Sequence, residues 1–281
     1  MFKIKQFLFI TAILLIGSCN GVSLKKKNFP DTPYYNLNSP KIIELNFELD
    51  EISGIAYYPK DTSVFAISDE TGTLFKVPLN APTKTKSWEF YKKKDFEDLV
   101  LIDSTFYVLI SNGDIVSIDF KNDSVLTNKF DFPEGSKKDN EFESLIVLND
   151  SALAIICKEC KDDKKDKLSR YKLNFRDSLP QYVSMEPLSL KEAGKNFKGK
   201  LKPSAAAFHP ITGELYVISA IQNILCIFSA DGKFVKSYEL NPTLFKQPEG
   251  IAFTPEGHMI ISNEYAGEGS ANLLLFKNKQ F

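Results

Sequence analysis

Residues 247–264 read QPEGIAFTPEGHMIISNE, in which a glutamate opens an apolar strand, a Pro-Glu-Gly turn follows, and a second strand ends in Ser-Asn-Glu. Weaker copies of this pattern lie at residues 48–70, 94–113, 140–159 and 201–220. The intervals are 44, 46, 61 and 45 residues between the positions that open the first strand of each copy, Ser53, Glu97, Glu143, Ser204 and Glu249. Repeats of about 40 to 50 residues, each with four short strands, are typical of a β-propeller.

The repeats predict an all-β protein, a β-propeller of five four-stranded blades. The long third interval reflects insertions at residues 161–167 and 189–200, each too short for another blade. The last repeat provides three strands, and residues 41–49, KIIELNFEL, form an unassigned strand that would complete this blade and close the ring. Closure removes the open sheet edges that invite aggregation. Six blades is the alternative, if the amino-terminal segment or an insertion contains a degenerate blade.

The amino-terminal residues predict export. Two lysines precede an apolar run at residues 7–16, which is shorter than the roughly 20 residues that span a bilayer. The following Gly-Ser-Cys resembles a bacterial lipobox, which predicts a signal peptide over residues 1–18, a lipidated Cys19 with a flexible tether over 19–40, and the propeller over 41–281. By resemblance to the enterobacterial sorting rule, Asn20 favours the outer membrane. We therefore expect a cell-envelope protein that is attached to the membrane, its partner, by the lipid on Cys19.

Charge and cysteine content narrow the possible partners. The chain has 35 Lys and Arg against 36 Asp and Glu, a net charge of −1 that gives no reason to expect nucleic acid. Cys157 and Cys160 form a C-x-x-C pair, but the only two histidines of the chain, His209 and His258, are expected at the opposite face, so the usual four-ligand zinc site is not predicted. No predicted helix follows them, as it would in a redox motif. They form either a local disulfide or two free thiols.

Polar residues are predicted to converge at one mouth of the central channel. The first strand of each blade starts at this face, and the loop between the second and third strands returns to the same face. Crowded carboxylates must be protonated, paired with lysine or arginine, or bridged by a cation. Calcium, with about six to eight oxygen ligands, suits this set. The predicted metal ligands are Glu97, Glu143, Glu249, Asn263 and Asp69, and the further ligand-binding residues are Glu51, Ser53, Glu70, Asn112, Ser204 and Glu264. The alternative is that these residues only form turns and cap amides.

The histidines do not favour a histidine-based enzyme. His209 and His258 lie in turns between first and second strands, which belong to the opposite face, so neither is expected beside the acidic residues. The sequence contains no Gly-x-Ser-x-Gly elbow, phosphate loop or metalloprotease helix. Any hydrolysis at this mouth would therefore be metal-assisted, with a carboxylate or a bound hydroxide as base.

The repeated motifs resemble those of the SdiA-regulated proteins. They are Glu51-Ile-Ser-Gly-Ile, Asp95-Phe-Glu-Asp-Leu, Phe142-Glu-Ser-Leu and Pro248-Glu-Gly-Ile-Ala, with second strands ending in Ile-Ser-Asp-Glu or Ile-Ser-Asn-Glu. These exported or membrane-associated bacterial propellers include calcium-regulated members and share motifs with NHL-type propellers. The resemblance covers Glu44 to Lys277 and implies an envelope propeller linked to calcium. The fourth repeat departs from it with Lys202-Pro-Ser-Ala, which breaks the acidic ring.

The sequence thus predicts an envelope-anchored lipoprotein that binds a cation, calcium, at the acidic mouth, together with a small ligand or an envelope protein. A weaker similarity to calcium-dependent lactonase and phytase propellers provides the alternative, a calcium-dependent hydrolase of an ester, lactone or phosphoester.

Overall fold

The computed structural model describes residues 28–122, 124–133, 140–161, 163–176, 180–192 and 199–280. In this part of the chain, 20 strands form five antiparallel four-stranded sheets arranged as a propeller. The predicted fold and number of blades are confirmed, and the six-bladed alternative is wrong. The predicted signal peptide and Cys19 lie outside the described residues. Within them, no helix is long and apolar enough to cross a membrane.

Four blades consist of consecutive strands, with the first strand innermost. Blade 1 has β2 (Ile52–Tyr58), β3 (Ser63–Ser68), β4 (Thr73–Pro78) and β5 (Lys86–Glu89). Blade 2 has β6 (Phe96–Ile102), β7 (Thr105–Ile110), β8 (Ile115–Lys121) and β9 (Ser124–Phe130). Blade 3 has β10 (Asn140–Asn149), β11 (Ala152–Cys160), β12 (Lys167–Asn174) and β13 (Tyr182–Ser189). Blade 4 has β14 (Ala205–Phe208), β15 (Leu215–Ser219), β16 (Ile224–Phe228) and β17 (Phe234–Glu239).

The fifth blade is made from both ends of the described chain. It has β18 (Pro248–Phe253), β19 (Met259–Asn263), β20 (Asn272–Phe276) and β1 (Lys41–Glu44). β1 pairs antiparallel with β20, which confirms the predicted closure of the ring. This strand is shorter than the predicted 41–49 because β20 begins at Asn272. Leu45 still donates to the Ala271 carbonyl at 2.9 Å, and the chain then turns into a 3-10 helix, Phe47–Leu49. A second 3-10 helix, Pro82–Lys84, precedes β5.

The segment before β1 packs onto the propeller. Tyr35 and Leu37 are buried in the apolar layer between blades 4 and 5, and the Tyr35 hydroxyl donates to the Gly257 carbonyl at 2.6 Å. The Lys279 amide donates to the Tyr34 carbonyl at 2.8 Å. The predicted tether is therefore wrong for residues 32–37, which we call the strap. Its two large side chains bury apolar surface that stabilises docking by roughly 25 cal/mol per Å².

The hydrophobic core consists of five layers, one between each pair of neighbouring blades. Near the channel the first strands approach so closely that two positions require glycine. A β-carbon at Gly54 would collide with the backbone of Asp98 and Leu99, and one at Gly250 would collide with the Ser53 carbonyl oxygen. This close approach holds the openings of the first strands in a narrow ring.

Serine hydroxyls connect the first strands of neighbouring blades. Ser53 donates to the Phe96 carbonyl at 2.8 Å, and Ser204 donates to the Pro248 carbonyl at 2.6 Å. Both serines are about 5% exposed, so these bonds are made away from water. Each links a blade to the next at the level where the glutamates emerge.

Replacing Tyr35 by Phe should lower the free energy of unfolding of residues 28–281 by about 1–2 kcal/mol, because the buried Gly257 carbonyl loses its donor. Urea denaturation measures this difference. Tyr34→Phe is the matched control, since the Tyr34 ring is half-buried and packs beside His209. Equal stability of the Tyr35→Phe variant and the parent would contradict a docked strap.

Candidate functional site

One end of the channel is a cavity of about 240 Å³ lined by charged residues, which we call the acidic mouth. Its lysines are Lys158 and Lys202, and its acidic residues are Asp69, Asp95, Glu97, Glu141, Glu143, Glu249 and Glu264. Seven carboxylates against two ammonium groups give a formal charge of −5 if all are ionised. The mouth is therefore strongly anionic although the whole chain is nearly neutral.

The repeat places these side chains at one level. Glu97, Glu143 and Glu249 occupy equivalent positions at the openings of the first strands of blades 2, 3 and 5. Asp69 and Glu264 directly follow the second strands of blades 1 and 5 and line the same cavity. The predicted register, in which the loops after second strands return to the face where first strands begin, is thus observed.

The structure brings together seven of the residues predicted for the site: Ser53, Asp69, Glu97, Glu143, Ser204, Glu249 and Glu264. The two serines direct their hydroxyls to backbone carbonyls of the next blade, as described above, so they support the ring. The five acidic residues face the cavity.

Four predicted residues do not line the acidic mouth. Asn263 is fully buried in blade 5, where its amide donates to the Leu244 carbonyl at 2.9 Å and to Asn272 Oδ1 at 3.0 Å. Asn112 bonds both the side chain and the backbone of Asp114 and so holds the β7–β8 turn. Glu51 and Glu70 are exposed on the rim, where Glu70 accepts a hydrogen bond from Lys93 at 3.0 Å.

Lys158 is a central residue of the mouth that the sequence did not assign to it. Its ammonium group forms an ion pair with the Glu143 carboxylate and lies 3.1 Å from Glu141. Lys158 follows the buried residues of a second strand, just as Asp69 and Glu264 follow the second strands of their blades. This equivalent position was the sequence signal that Lys158 lies at the mouth. A positive charge among the seven carboxylates of the mouth partly compensates their repulsion.

A local disulfide holds Lys158 in place. Cys157 and Cys160 are bonded to each other, which decides between the two alternatives that the sequence left open. Phe142 lies opposite Cys157 and Glu141 lies opposite Glu159, so Lys158 is the extra residue of a β-bulge. A bulge of this kind redirects a side chain. The third cysteine of the described chain, Cys226, is free and buried.

Burial and mutual repulsion raise the pKa of the carboxyls in the mouth. Burial, together with Asp95, raises the pKa of Glu97 well above its usual range, although Lys158 opposes this. Burial raises the pKa of Glu249 to about 7, against the opposing effects of Lys158 and Gln247. Burial and the Glu249 carboxylate raise the pKa of Glu264, and burial with Glu51 raises that of Asp69 to about 6. The positive charge of two lysines is therefore too small to keep all of these carboxyls ionised, and the mouth retains protons near neutral pH.

The rest of the channel carries little charge. Its middle section is apolar except for Asp98, whose carboxylate is satisfied by the amides of Leu99 and Leu145, both at 2.7 Å. The far end, which we call the aromatic mouth, is lined by Tyr57, Tyr58, Phe208, Phe253 and neighbouring prolines. His209 and His258 lie in the turns at this far end, as predicted, and His209 is buried. Neither histidine can act on a group bound in the acidic mouth.

A comparison with protein-family models finds no match, and a comparison with curated proteins finds none either. Many solved propellers are similar in structure. A glutaminyl cyclase from Myxococcus xanthus is 12% identical with a TM-score of 0.56, over 85% of this chain and 94% of that one. A gluconolactonase from Xanthomonas campestris is 11% identical with a TM-score of 0.53, over 86% and 90%. A PQQ-bound aldose sugar dehydrogenase from Streptomyces coelicolor is 12% identical with a TM-score of 0.51, over 86% and 100%.

These similarities agree with the sheet topology in defining the class of protein. The chain is a β-propeller. At such low identity the likeness concerns the fold alone. Activity must be argued from the residues of the mouth.

Replacing Lys158 by Met should lower the free energy of unfolding at neutral pH by about 1–2 kcal/mol, because Glu143 is 8% exposed and loses its counter-ion. Adding Glu143→Gln should restore most of this loss, since the buried charge is then removed as well. Urea denaturation of the single and double variants measures both effects. Lys93→Met, which breaks an exposed pair on the rim, is the control and should leave stability unchanged. Additive effects of Lys158→Met and Glu143→Gln would contradict the pairing.

The raised carboxyl pKa values predict that the chelator-treated protein loses stability as pH rises. Between its ordinary value of 4.5 and about 7, Glu249 holds more protons in the folded than in the unfolded state, so raising the pH favours unfolding. Urea midpoints measured across this range should fall, and Glu249→Gln should reduce the slope. A midpoint that rises with pH in the parent protein would contradict the crowding of carboxylates.

Proposed function

We propose that the protein is an envelope-anchored β-propeller lipoprotein, of the SdiA-regulated type, that binds calcium at the acidic mouth. Its partners would be the membrane, through the lipid on Cys19, and a small ligand or envelope protein that reaches the mouth; the outer membrane is the expected location. One observation carries the proposal. Seven carboxylates from four blades share a cavity with two lysines, and burial raises the pKa of several of them. A divalent cation would replace the retained protons.

The donor set fits a hard cation. Calcium prefers oxygen ligands, and the mouth offers carboxylates with no cysteine or histidine among its lining residues. Asp69 Oδ1 is buried and has no hydrogen-bond partner. Lys158 engages Glu141 and Glu143, so Glu97, Glu249 and Asp69 are the residues that we assign to the cation. Glu143 then acts indirectly, by holding Lys158 away from these ligands.

Calcium titration of residues 28–281 by calorimetry tests the proposal. Glu97→Gln and Glu249→Gln should each raise the Kd by about tenfold or more, which corresponds to about 1.4 kcal/mol of binding free energy. Glu143→Gln should also weaken binding, because it releases Lys158 toward Glu97 and Glu249. Glu89→Gln, at an exposed position on the outer strand of blade 1, is the control and should leave the Kd unchanged.

The proton release that accompanies calcium binding provides a second readout. Titrations in buffers of different ionisation enthalpy should show protons released near pH 7, because Glu249 and Glu97 are partly protonated before calcium binds. The absence of heat, and of any shift in Tm, at millimolar calcium would contradict the proposal.

A calcium-dependent hydrolase of an ester, lactone or phosphoester is the second candidate. The pKa of Glu249, raised to about 7, is in the range suited to a general base, and a gluconolactonase is among the proteins of similar fold. Bound calcium would polarise the carbonyl or phosphoryl oxygen of the substrate. In this alternative Glu249 would accept a proton instead of binding calcium, and Glu97 and Asp69 would hold the ion.

A panel of lactones, aryl esters and phosphoesters separates the two functions. Turnover that requires calcium and disappears in Glu249→Gln at saturating calcium would establish an enzyme. Calcium-loaded protein that turns over none of the panel would leave binding as the function.

A further inference from the structure

The strap fixes the amino-terminal part of the chain at the face opposite the acidic mouth. The Tyr35 hydroxyl bonds Gly257, which lies in the turn between β18 and β19. Lys279, which follows β20, donates from its ammonium group to the Thr32 carbonyl at 2.7 Å. The turn and the end of β20 both belong to the face of the aromatic mouth. The chain that leads back to Cys19 therefore leaves the propeller from that face.

The reach of this chain is short compared with the propeller. The Phe29 carbonyl accepts a hydrogen bond from Asn38 at 2.9 Å, so the chain is held as far back as Phe29. Phe29 lies ten positions after Cys19, and even a fully extended chain of that length spans at most about 35 Å. β2 and β6, of seven residues each, are about 23 Å long before the turns at both faces are added. If the acidic mouth faced the membrane, the chain between Phe29 and Cys19 would have to cross the full height of the propeller, which would use its whole extended length.

The two faces also differ in how well they suit a lipid surface. Around the aromatic mouth lie Tyr58, Lys60, Asp103 and Ile211, and the Ile211 side chain is 46% exposed. One lysine and one aspartate leave the lining of this mouth without net formal charge. Tyrosine and lysine, with apolar bodies and polar tips, are the residues that settle at the headgroup level of a bilayer. The acidic mouth, by contrast, is repelled by anionic headgroups. Charge and tether length therefore favour the same orientation.

We propose that the face of the aromatic mouth is a lipid-apposed surface, and that the acidic mouth points away from the membrane into the aqueous compartment. This inference rests on the lipid on Cys19 that belongs to the proposed function. It identifies the partner of the aromatic-mouth face as the bilayer that holds the lipid. It also implies that a cation or protein partner approaches the acidic mouth from bulk solution and does not compete with lipid headgroups.

Two matched cysteine variants test the orientation in the full lipidated chain. Ile211→Cys places a thiol on the face of the aromatic mouth, and Ile221→Cys places one at the acidic mouth, where the isoleucine is 63% exposed. A maleimide fluorophore reacts selectively there, because Cys157 and Cys160 are bonded and Cys226 is buried. The labelled proteins are anchored in vesicles of phosphatidylethanolamine and phosphatidylglycerol that carry a nitroxide on the headgroup.

We expect loss of fluorescence at position 211 and little loss at position 221. Labelled residues 28–281, mixed with the same vesicles, should show neither loss and so control for quenching in solution. Equal loss at both positions, or a greater loss at position 221, in protein that floats with the vesicles overturns the orientation alone. A full chain that does not float with vesicles overturns the lipid anchor, and the orientation with it. Calorimetry with calcium reports on the acidic mouth independently of both.

Discussion

The antiparallel pairing of β1 with β20 is the interaction on which the rest of the structure depends. It converts a row of blades into a ring, and only in a ring do the openings of the first strands surround a channel. Glycine at positions 54 and 250 then allows the inner strands to approach closely. The narrow ring in turn forces the glutamates of three blades into one small cavity.

Crowding of like charge is the chemical consequence of this closure. The chain compensates it in two ways, by placing Lys158 between Glu141 and Glu143 and by raising the pKa of the remaining carboxyls. Neither way compensates the repulsion fully, because two lysines face seven carboxylates. In the proposed function a cation would bind at this site by replacing the retained protons, while Lys158 stays paired with Glu143. If calcium binds as proposed, calcium and pH would act on the same carboxyls.

Much of the fold and part of the site could be predicted from the sequence. Intervals of 44, 46, 61 and 45 residues, and glutamates at equivalent positions, were sufficient to predict five blades and the face on which Glu97, Glu143 and Glu249 meet. The orientation of the Asn263 side chain was harder to predict from the motif, because neighbouring residues of a strand point to opposite sides of the sheet. Glu264 faces the cavity, while Asn263 beside it is buried within blade 5.

Two other features depend on contacts that sequence periodicity does not contain. The position of Lys158 late in a second strand indicated the correct face, but its side chain enters the mouth through a bulge beside the Cys157–Cys160 disulfide, and strand alternation does not reveal a bulge. The strap is a short segment with proline and lysine nearby, so its composition indicated a tether. Two side chains, Tyr35 and Leu37, find a place between blades 4 and 5 and are sufficient to dock it.

The most direct test of the central claim is a crystal structure of residues 28–281 grown with manganese or a lanthanide in place of calcium. We expect an anomalous-scattering peak in the acidic mouth, within about 2.0–2.6 Å of carboxylate oxygens of Glu97, Glu249 and Asp69. Lys158 should remain paired with Glu143 on one side of the ion. A fully ordered mouth with no such peak at a saturating concentration of the metal would contradict the account.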